Sequence, residues 1–179
     1  MRFHFALCAA AGIGLGLAGS LAQAQAFPVK PIRWIVAAPA GSSLDVIARS
    51  MQDKLNDSLG QPVVVENRPQ AGGTVGAGEV ARSTPDGHTW LLGFNGPVAF
   101  APYLYSKLSY DPLKDLAAVV LTTSQPNILA VNASLPVNTT KELVELLRKN
   151  PGKYNYASVG NGSSSHLSME AFKTATGTF

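Results

Sequence analysis

The sequence predicts an α/β fold, because short β-branched or apolar runs alternate along the chain with segments of helical periodicity. The clearest helix follows the first run, where apolar residues recur three or four positions apart from Leu44 to Leu59. A second helix begins at a Thr-Thr-Lys-Glu capping box that starts with Thr139. The runs predicted to form strands are Ile32–Ala37, Val63–Glu66, Thr89–Gly93, Val119–Thr122, Ile128–Val131 and Tyr154–Ser158.

Glycine and proline mark the ends of the predicted helices. Gly60 ends the first helix, and the capped helix stops at Asn150-Pro151-Gly152. Between them, 72–82 is a Gly-rich turn that leads into a short helix. After the second helix, 163–176 is predicted as a last helix with a polar start. The tryptophans Trp34 and Trp90 fall in strands and are expected in the core, while the aromatic stretch 100–110 is expected to serve helix packing more than a cleft.

The N-terminal region has the pattern of a secretory signal peptide. Arg2 precedes an uncharged run that reaches Leu21 and ends in small residues, so cleavage is expected after Ala26. A retained membrane anchor is the alternative, but the run is Gly- and Ala-rich and no basic stop-transfer cluster follows it. The single cysteine, Cys8, lies inside this segment, which excludes disulfides, thiolate metal sites and a cysteine nucleophile from the mature chain.

The charge balance argues against nucleic acid as a partner. The formal net charge is +3 and falls to +2 when Arg2 leaves with the signal peptide. The sequence contains no cluster of basic residues. A mildly positive surface in an exported protein suits small anionic solutes.

Two strand-to-helix junctions are rich in glycine and serine, 37–45 and 158–166. In an open α/β sheet, ligands bind at the carboxyl ends of the strands, where free N–H groups and the helix dipole attract anions. Glycine lets the backbone approach a ligand, and a serine hydroxyl donates a further hydrogen bond. The alternative is that both junctions only cap their helices.

Other kinds of site lack their motifs. Neither junction carries the Lys-Ser/Thr of a P-loop, and no dinucleotide fingerprint follows the first strand, so no nucleotide cofactor is predicted. A hydrolase triad of His166 with Ser163, Ser164 or Ser165 would lack the G-x-S-x-G elbow, and His88 has no second ligand at metal spacing. We therefore predict no catalytic residue, no metal and no cofactor.

Several motifs together resemble the substrate-binding proteins of tripartite tricarboxylate transporters, the Bug or TctC family. They cover almost all of the mature chain and comprise Pro28–Arg33, Gly60–Pro69, Ala71–Gly73, Pro85–Gly87, Leu104–Pro112, Pro151–Lys153 and Tyr156–His166. The resemblance implies a type II-like, Venus-flytrap periplasmic binding protein that traps a small di- or tricarboxylate between two lobes. It also implies delivery of that organic anion to the membrane components of a transporter, without catalysis.

By position, the resemblance implies ligand-binding residues in three loops. They are Ala38, Gly41, Ser42, Ser43 and Asp45 in the first loop, Asn95 and Gly96 after the third strand, and Gly160, Gly162, Ser163 and His166 in the second lobe. Family members usually carry Phe at the position of Ala38, and Thr or Ser at that of Leu44, so this chain is expected to have a more open pocket floor with one hydroxyl fewer.

The predicted division of the chain is a signal peptide over 1–26, a first lobe over 27–124 and an incomplete second lobe over 125–179. Complete members of the family are about twice this length, within the size of two domains, so the first lobe is expected to lack its C-terminal return. A half-formed lobe exposes apolar surface, which predicts marginal stability and aggregation. The alternative is that the chain is a truncated, non-functional remnant of such a protein that binds no ligand.

Overall fold

A computed structural model describes residues 26–179, so that the predicted signal peptide up to residue 25, with Cys8, lies outside the described part. The strands are β1 Ile32–Val36, β2 Val63–Asn67 and β3 Thr89–Leu92. The α-helices are α1 Ser43–Leu59, α2 Thr74–Ala81, α3 Ala101–Leu104, α4 Thr140–Lys149 and α5 Ser164–Thr176. A 3-10 turn, Gln70–Gly73, precedes α2, and a π-helical turn, Gly96–Phe100, precedes α3. Across residues 26–179, no helix combines the length and apolarity that a membrane span requires.

The three strands form one parallel sheet in the order β2-β1-β3. β1 lies in the middle, and its residues Ile32, Ile35 and Val36 are fully buried. Because the strands are parallel, their carboxyl ends lie at one edge of the sheet. The α/β class and the first three predicted strands are confirmed.

Helix α1 packs on one face of the sheet through the apolar stripe that its sequence predicts. Leu44, Ile47 and Leu55 contact a buried cluster that includes Trp34 and Ala48. The ring of Trp34 meets that of Trp90 edge to face at 5.9 Å, across β1 and β3. Gly60 ends α1 in the left-handed conformation, with φ of 64°, and donates its N–H to the carbonyl of Asn56.

The opposite face is covered by α2 and carries an ion-pair network. Arg33 on β1 donates to both carboxylate oxygens of Glu66 at 2.8 and 2.9 Å and to Glu79 on α2 at 2.7 Å. Arg68 contacts the same two carboxylates at 2.7 and 3.3 Å. The hydrogen bond from Arg33 lowers the pKa of Glu66. Gly76 lets α2 approach Arg68, which follows β2, because a Cβ at Gly76 would lie 2.9 Å from the Cβ of Arg68.

The aromatic stretch after β3 contributes one buried anchor. The Tyr110 hydroxyl donates to the carbonyl of Pro97 in the π-helical turn at 2.6 Å, and burial raises the pKa of Tyr110 to about 12. Tyr103, by contrast, is 90% exposed. The stretch therefore packs through Tyr110, in line with the predicted packing role.

Three predicted strands do not form, and these predictions are wrong. Residues 119–122, 128–131 and 154–158 are irregular, and within the described chain they join no ladder with β1, β2 or β3. Leu121 is 81% exposed and Ile128 84% exposed. A strand needs a hydrogen-bonding neighbour, and β-branched composition alone does not supply one.

The remaining helices begin as predicted. At α4, Thr139 Oγ1 accepts the N–H of Glu142, and the Glu142 carboxylate accepts the N–H of Thr139, each at 3.2 Å. At α5, Ser163 caps the helix by accepting the N–H of His166 at 3.2 Å. The Arg148 guanidinium on α4 donates to the carbonyl of Thr176, which ties the end of α4 to the end of α5.

Candidate functional site

The candidate site lies at the carboxyl edge of the sheet, where three loops leave the three strands. Residues 37–42 follow β1, the turn 70–73 comes after β2, and Asn95 and Gly96 come after β3. The parallel order of the strands brings these loops to one edge, as expected for the ligand-binding end of an α/β fold.

The first loop is held by one buried carboxylate. Asp45 is 4% exposed; its Oδ2 accepts the N–H of Gly41 at 2.8 Å and its Oδ1 accepts from Arg49 Nε at 2.9 Å. The Gly41 hydrogen bond, followed by that from Arg49, lowers the pKa of Asp45. Gly41 has φ of 79°, a conformation that glycine adopts without strain. Ser42 caps α1 by accepting the N–H of Asp45 at 3.4 Å.

The second loop repeats this construction at the start of α5. The Gly162 N–H donates to Nδ1 of His166 at 3.2 Å, as the Gly41 N–H does to Asp45. Ser163 occupies the place of Ser42, and Gly162 has φ of 76°. Because Nδ1 accepts this hydrogen bond, the neutral imidazole carries its proton on Nε2.

Each helix start presents two N–H groups that no acceptor takes up among residues 26–179. On α1 they belong to Ser43 and Leu44, and on α5 to Ser164 and Ser165. The next N–H in each helix is capped by Ser42 or Ser163. Free donors at the positive end of a helix dipole form a site for an anion.

The turn 70–73 brings the two loops together. A Cβ on Gly73 would lie 2.5 Å from the carbonyl oxygen of Ala37, at the end of β1. A Cβ on Gly72 would lie 2.7 Å from the carbonyl oxygen of Asn161, in the second loop. Each of the two glycines therefore lies in direct contact with one of the loops, and the turn contacts both loops.

The other predicted site residues differ in how accessible they are. Asn95 is exposed, whereas Gly96 is buried against the Phe94 ring. Ala38 is 2% exposed and belongs to the core cluster, and its carbonyl accepts from Asn67 Nδ2 at 3.0 Å. Gly160 is half-buried with φ of 143°. Contact of any of these residues with a ligand stays a prediction.

The serines and histidines do not have the geometry of a hydrolase triad. Ser163 Oγ accepts from the backbone N–H of His166, not from its ring, and Ser165 Oγ accepts the N–H of Val159 at 3.2 Å. His88 is buried and accepts the N–H of Val29 at 3.3 Å, which is a structural role. Within residues 26–179 no three His, Cys, Asp or Glu side chains group as metal ligands would.

Comparison with protein families decides the relationship. Residues 47–179 match the family described as "Tripartite tricarboxylate transporter family receptor". The chain belongs to this receptor family. Its relative BugT of Bordetella pertussis is 38% identical over 174 residues, which are 96% of this chain and 53% of BugT.

Solved structures of related proteins share the fold. A protein from R. palustris, Rpa4515 with adipate, matches with a TM-score of 0.81 and 34% identity, over 85% of this chain and 51% of that one. MatC from Rhodopseudomonas palustris with bound malate matches with a TM-score of 0.79 and 33% identity, over 86% and 52% of the two chains. Another matching structure is a periplasmic binding protein. The chain spans about half the length of the curated relatives it matches.

Two elements beside the candidate site were missed by sequence reasoning. The turn 70–73 was identified as a family motif but not as part of the site, although it occupies the same place after β2 that the first loop has after β1. Gln125 contacts the start of α1 and Asn127 the start of α5, and both fall between the predicted strands 119–122 and 128–131, where no sequence motif signals these contacts.

Acid titration tests the role of Asp45. Its pKa in the folded receptor lies below the ordinary value of 3.8, so its stabilising effect is complete above that value and is lost as pH falls through the folded-state pKa. We expect the free energy of unfolding to fall in this acid range. Asp45→Asn is expected to reduce the slope of the free energy of unfolding against pH. Urea titrations at pH values from about 3 to about 7 measure the free energy of unfolding at each pH. Asp53→Asn, an exposed carboxylate of α1, is the control; equal slopes in all three proteins would contradict the assignment.

Proposed function

We propose that this receptor captures a small dicarboxylate or a related organic anion between the starts of α1 and α5. The observation that carries the proposal is that two capped helix starts, each with two free N–H groups, follow loops that both contact one turn, through Gly73 at Ala37 and through Gly72 at Asn161. A carboxylate at each helix start would accept hydrogen bonds and meet the positive end of a helix dipole.

The local charges are compatible with an anionic guest. Asp45 is the one carboxylate held inside the first loop, and Arg49 compensates it through an ion pair at 2.9 Å. The Nε2–H of His166 adds a donor beside the second helix start. The complexes of related proteins with adipate and malate support a dicarboxylate as the guest class.

We infer binding without chemistry. A hydrolase would need a serine hydroxyl hydrogen-bonded to an imidazole nitrogen, and the hydroxyls of Ser163 and Ser165 take up backbone N–H groups instead. The receptor family supports delivery of the bound anion to membrane components of a tripartite transporter. Export to the periplasm after cleavage behind Ala26 completes this proposal.

We assign residues 27–124 to a first lobe and 125–179 to part of a second. The contact between Gly72 and Asn161 then joins the two lobes. The helix starts of α1 and α5 belong to different lobes in this assignment, so that a trapped anion would contact both.

Calorimetric titration of the purified chain with adipate, malate, citrate and glutamate tests the proposal. We expect heats of binding for at least one dicarboxylate, with a dissociation constant of about 1 mM or tighter. The absence of binding by all four would contradict it and favour the alternative of an inactive remnant, a reading that the exposed apolar residues near Leu121 and Ile128 support.

Ser42→Asp places a charge at the first helix start without removing the cap, because aspartate caps helices as well as serine does. We expect the dissociation constant for the dicarboxylate to rise by at least about tenfold, since the new carboxylate repels that of the ligand. Ser42→Asn is the matched control, which keeps a capping side chain without the charge. Equal affinity of the two variants would remove the first loop from the site.

A further inference from the structure

The segment 125–127 links the two helix starts through side-chain amides. Gln125 Nε2 donates to Oγ of Ser43 at 3.4 Å, across 82 positions of sequence. Asn127 accepts from Oγ of Ser164 at 3.4 Å through Oδ1, and its Nδ2 donates to Oγ of Ser168 at 3.0 Å. One short segment therefore contacts both α1 and α5.

The two contacted serines occupy equivalent places. Ser43 follows the cap Ser42 as the first residue of α1, and Ser164 follows the cap Ser163 as the first residue of α5. Both also carry free N–H groups of the candidate site. Each amide thus restrains the residue from which an anion would accept a hydrogen bond.

We propose that Gln125 and Asn127 are positioning residues that set the separation of the two helix starts, and thereby the length of dicarboxylate that fits between them. The selection of length rests on the proposed function, whereas the positioning does not. Residues two apart in a chain are separated by at most about 7 Å, so the points from which the two side chains start lie close together. Pro126 fixes its own φ and restricts the backbone of Gln125, which narrows the range of this separation.

The separation can be measured without any ligand. In a Cys8→Ser background, Ser50→Cys on α1 and Thr174→Cys on α5 give two exposed positions for spin labels. We expect a single narrow distance distribution in the parent chain and a distribution about twice as broad in Gln125→Ala/Asn127→Ala, because two restraints are lost.

Two further variants separate this role from general stability. Asn132→Ala removes an amide of the same stretch that contacts only Ser134, so its distribution is expected to stay narrow. Gln125→Glu/Asn127→Asp keeps the acceptor for the Ser164 hydroxyl and replaces the donor to Ser43 by a carboxylate that can accept from the Ser43 hydroxyl, so it is expected to restore the narrow distribution. An unchanged width in the double alanine variant, at unchanged thermal stability, would overturn the positioning role.

Titration with linear dicarboxylates of increasing length tests the consequence for selectivity. In the parent chain, we expect the dissociation constants of the best-bound diacid and the next-longer one to differ by about tenfold. In the double alanine variant, we expect the same two dissociation constants to differ by about threefold or less. Equal discrimination in both would overturn the selection of length. If the parent chain binds no diacid, the proposed function fails, while the spin-label distances still decide whether the amides position the helices.

Discussion

Gly73→Ala is expected to lower the free energy of unfolding by about 3 kcal/mol, from backbone strain and overpacking together. Gly73 has φ of 87°, which costs an alanine about 1 to 2 kcal/mol. The added Cβ would also lie 2.5 Å from the Ala37 carbonyl oxygen and 3.0 Å from the Ala37 Cβ, so β1 and the turn must separate. Because Ala37 leads into the first loop, ligand affinity is expected to fall as well.

Gly41→Ala is the matched control for this substitution. Gly41 has φ of 79°, but nothing lies within 4 Å of the position that its Cβ would take. The control therefore measures the backbone strain alone, and urea unfolding of both variants isolates the close approach. Equal losses of stability in the two variants would show that the contact between Gly73 and Ala37 is not tight.

The purified chain is expected to self-associate through the apolar residues between Val119 and Val131. Val119, Leu121 and Ile128 are 91%, 81% and 84% exposed, and the segment is irregular. Contiguous exposed apolar residues favour association, and an unpaired segment of high β-propensity adds backbone donors and acceptors. We expect Leu121→Lys/Ile128→Lys to reduce the exposed apolar surface several-fold, as measured by the fluorescence of a dye that binds such surface. The fraction of associated protein, measured by sedimentation, is expected to fall several-fold as well.

A charge placed outside this segment provides the control. Tyr103→Lys removes an aromatic side chain that is 90% exposed but belongs to α3. It adds one positive charge and is expected to leave association nearly unchanged. A monomeric parent chain at high concentration, or an equal effect of Tyr103→Lys, would contradict the assignment of association to the segment 119–131.

The site could be predicted in part from local patterns. Glycine followed by serine at a strand-to-helix junction identified both helix starts, and the structure gives them the same capping arrangement through Asp45 and His166. The roles within each loop were not predictable, because the N–H of Gly41, a residue predicted to bind the ligand, is taken up by Asp45. Which N–H groups stay free depends on side-chain orientation, and that is decided by packing.

The sequence by itself determined the elements whose causes lie within a few residues. The β-branched runs of β1 to β3, the stripe and stop of α1, and the capping box of α4 all depend on local periodicity and hydrogen bonds. Strand formation after residue 118 was overpredicted, because a ladder requires a partner that no local pattern specifies.

Only the tertiary structure decided which distant residues meet. Gly73 touches Ala37, Gly72 touches Asn161, and Gln125 reaches Ser43 across 82 positions. These contacts arise because the parallel sheet brings separate loops to one edge, and the separation of residues along the chain carries no information about such encounters. The helix starts can therefore be predicted from the sequence, whereas the contacts that connect their loops are a property of the folded chain.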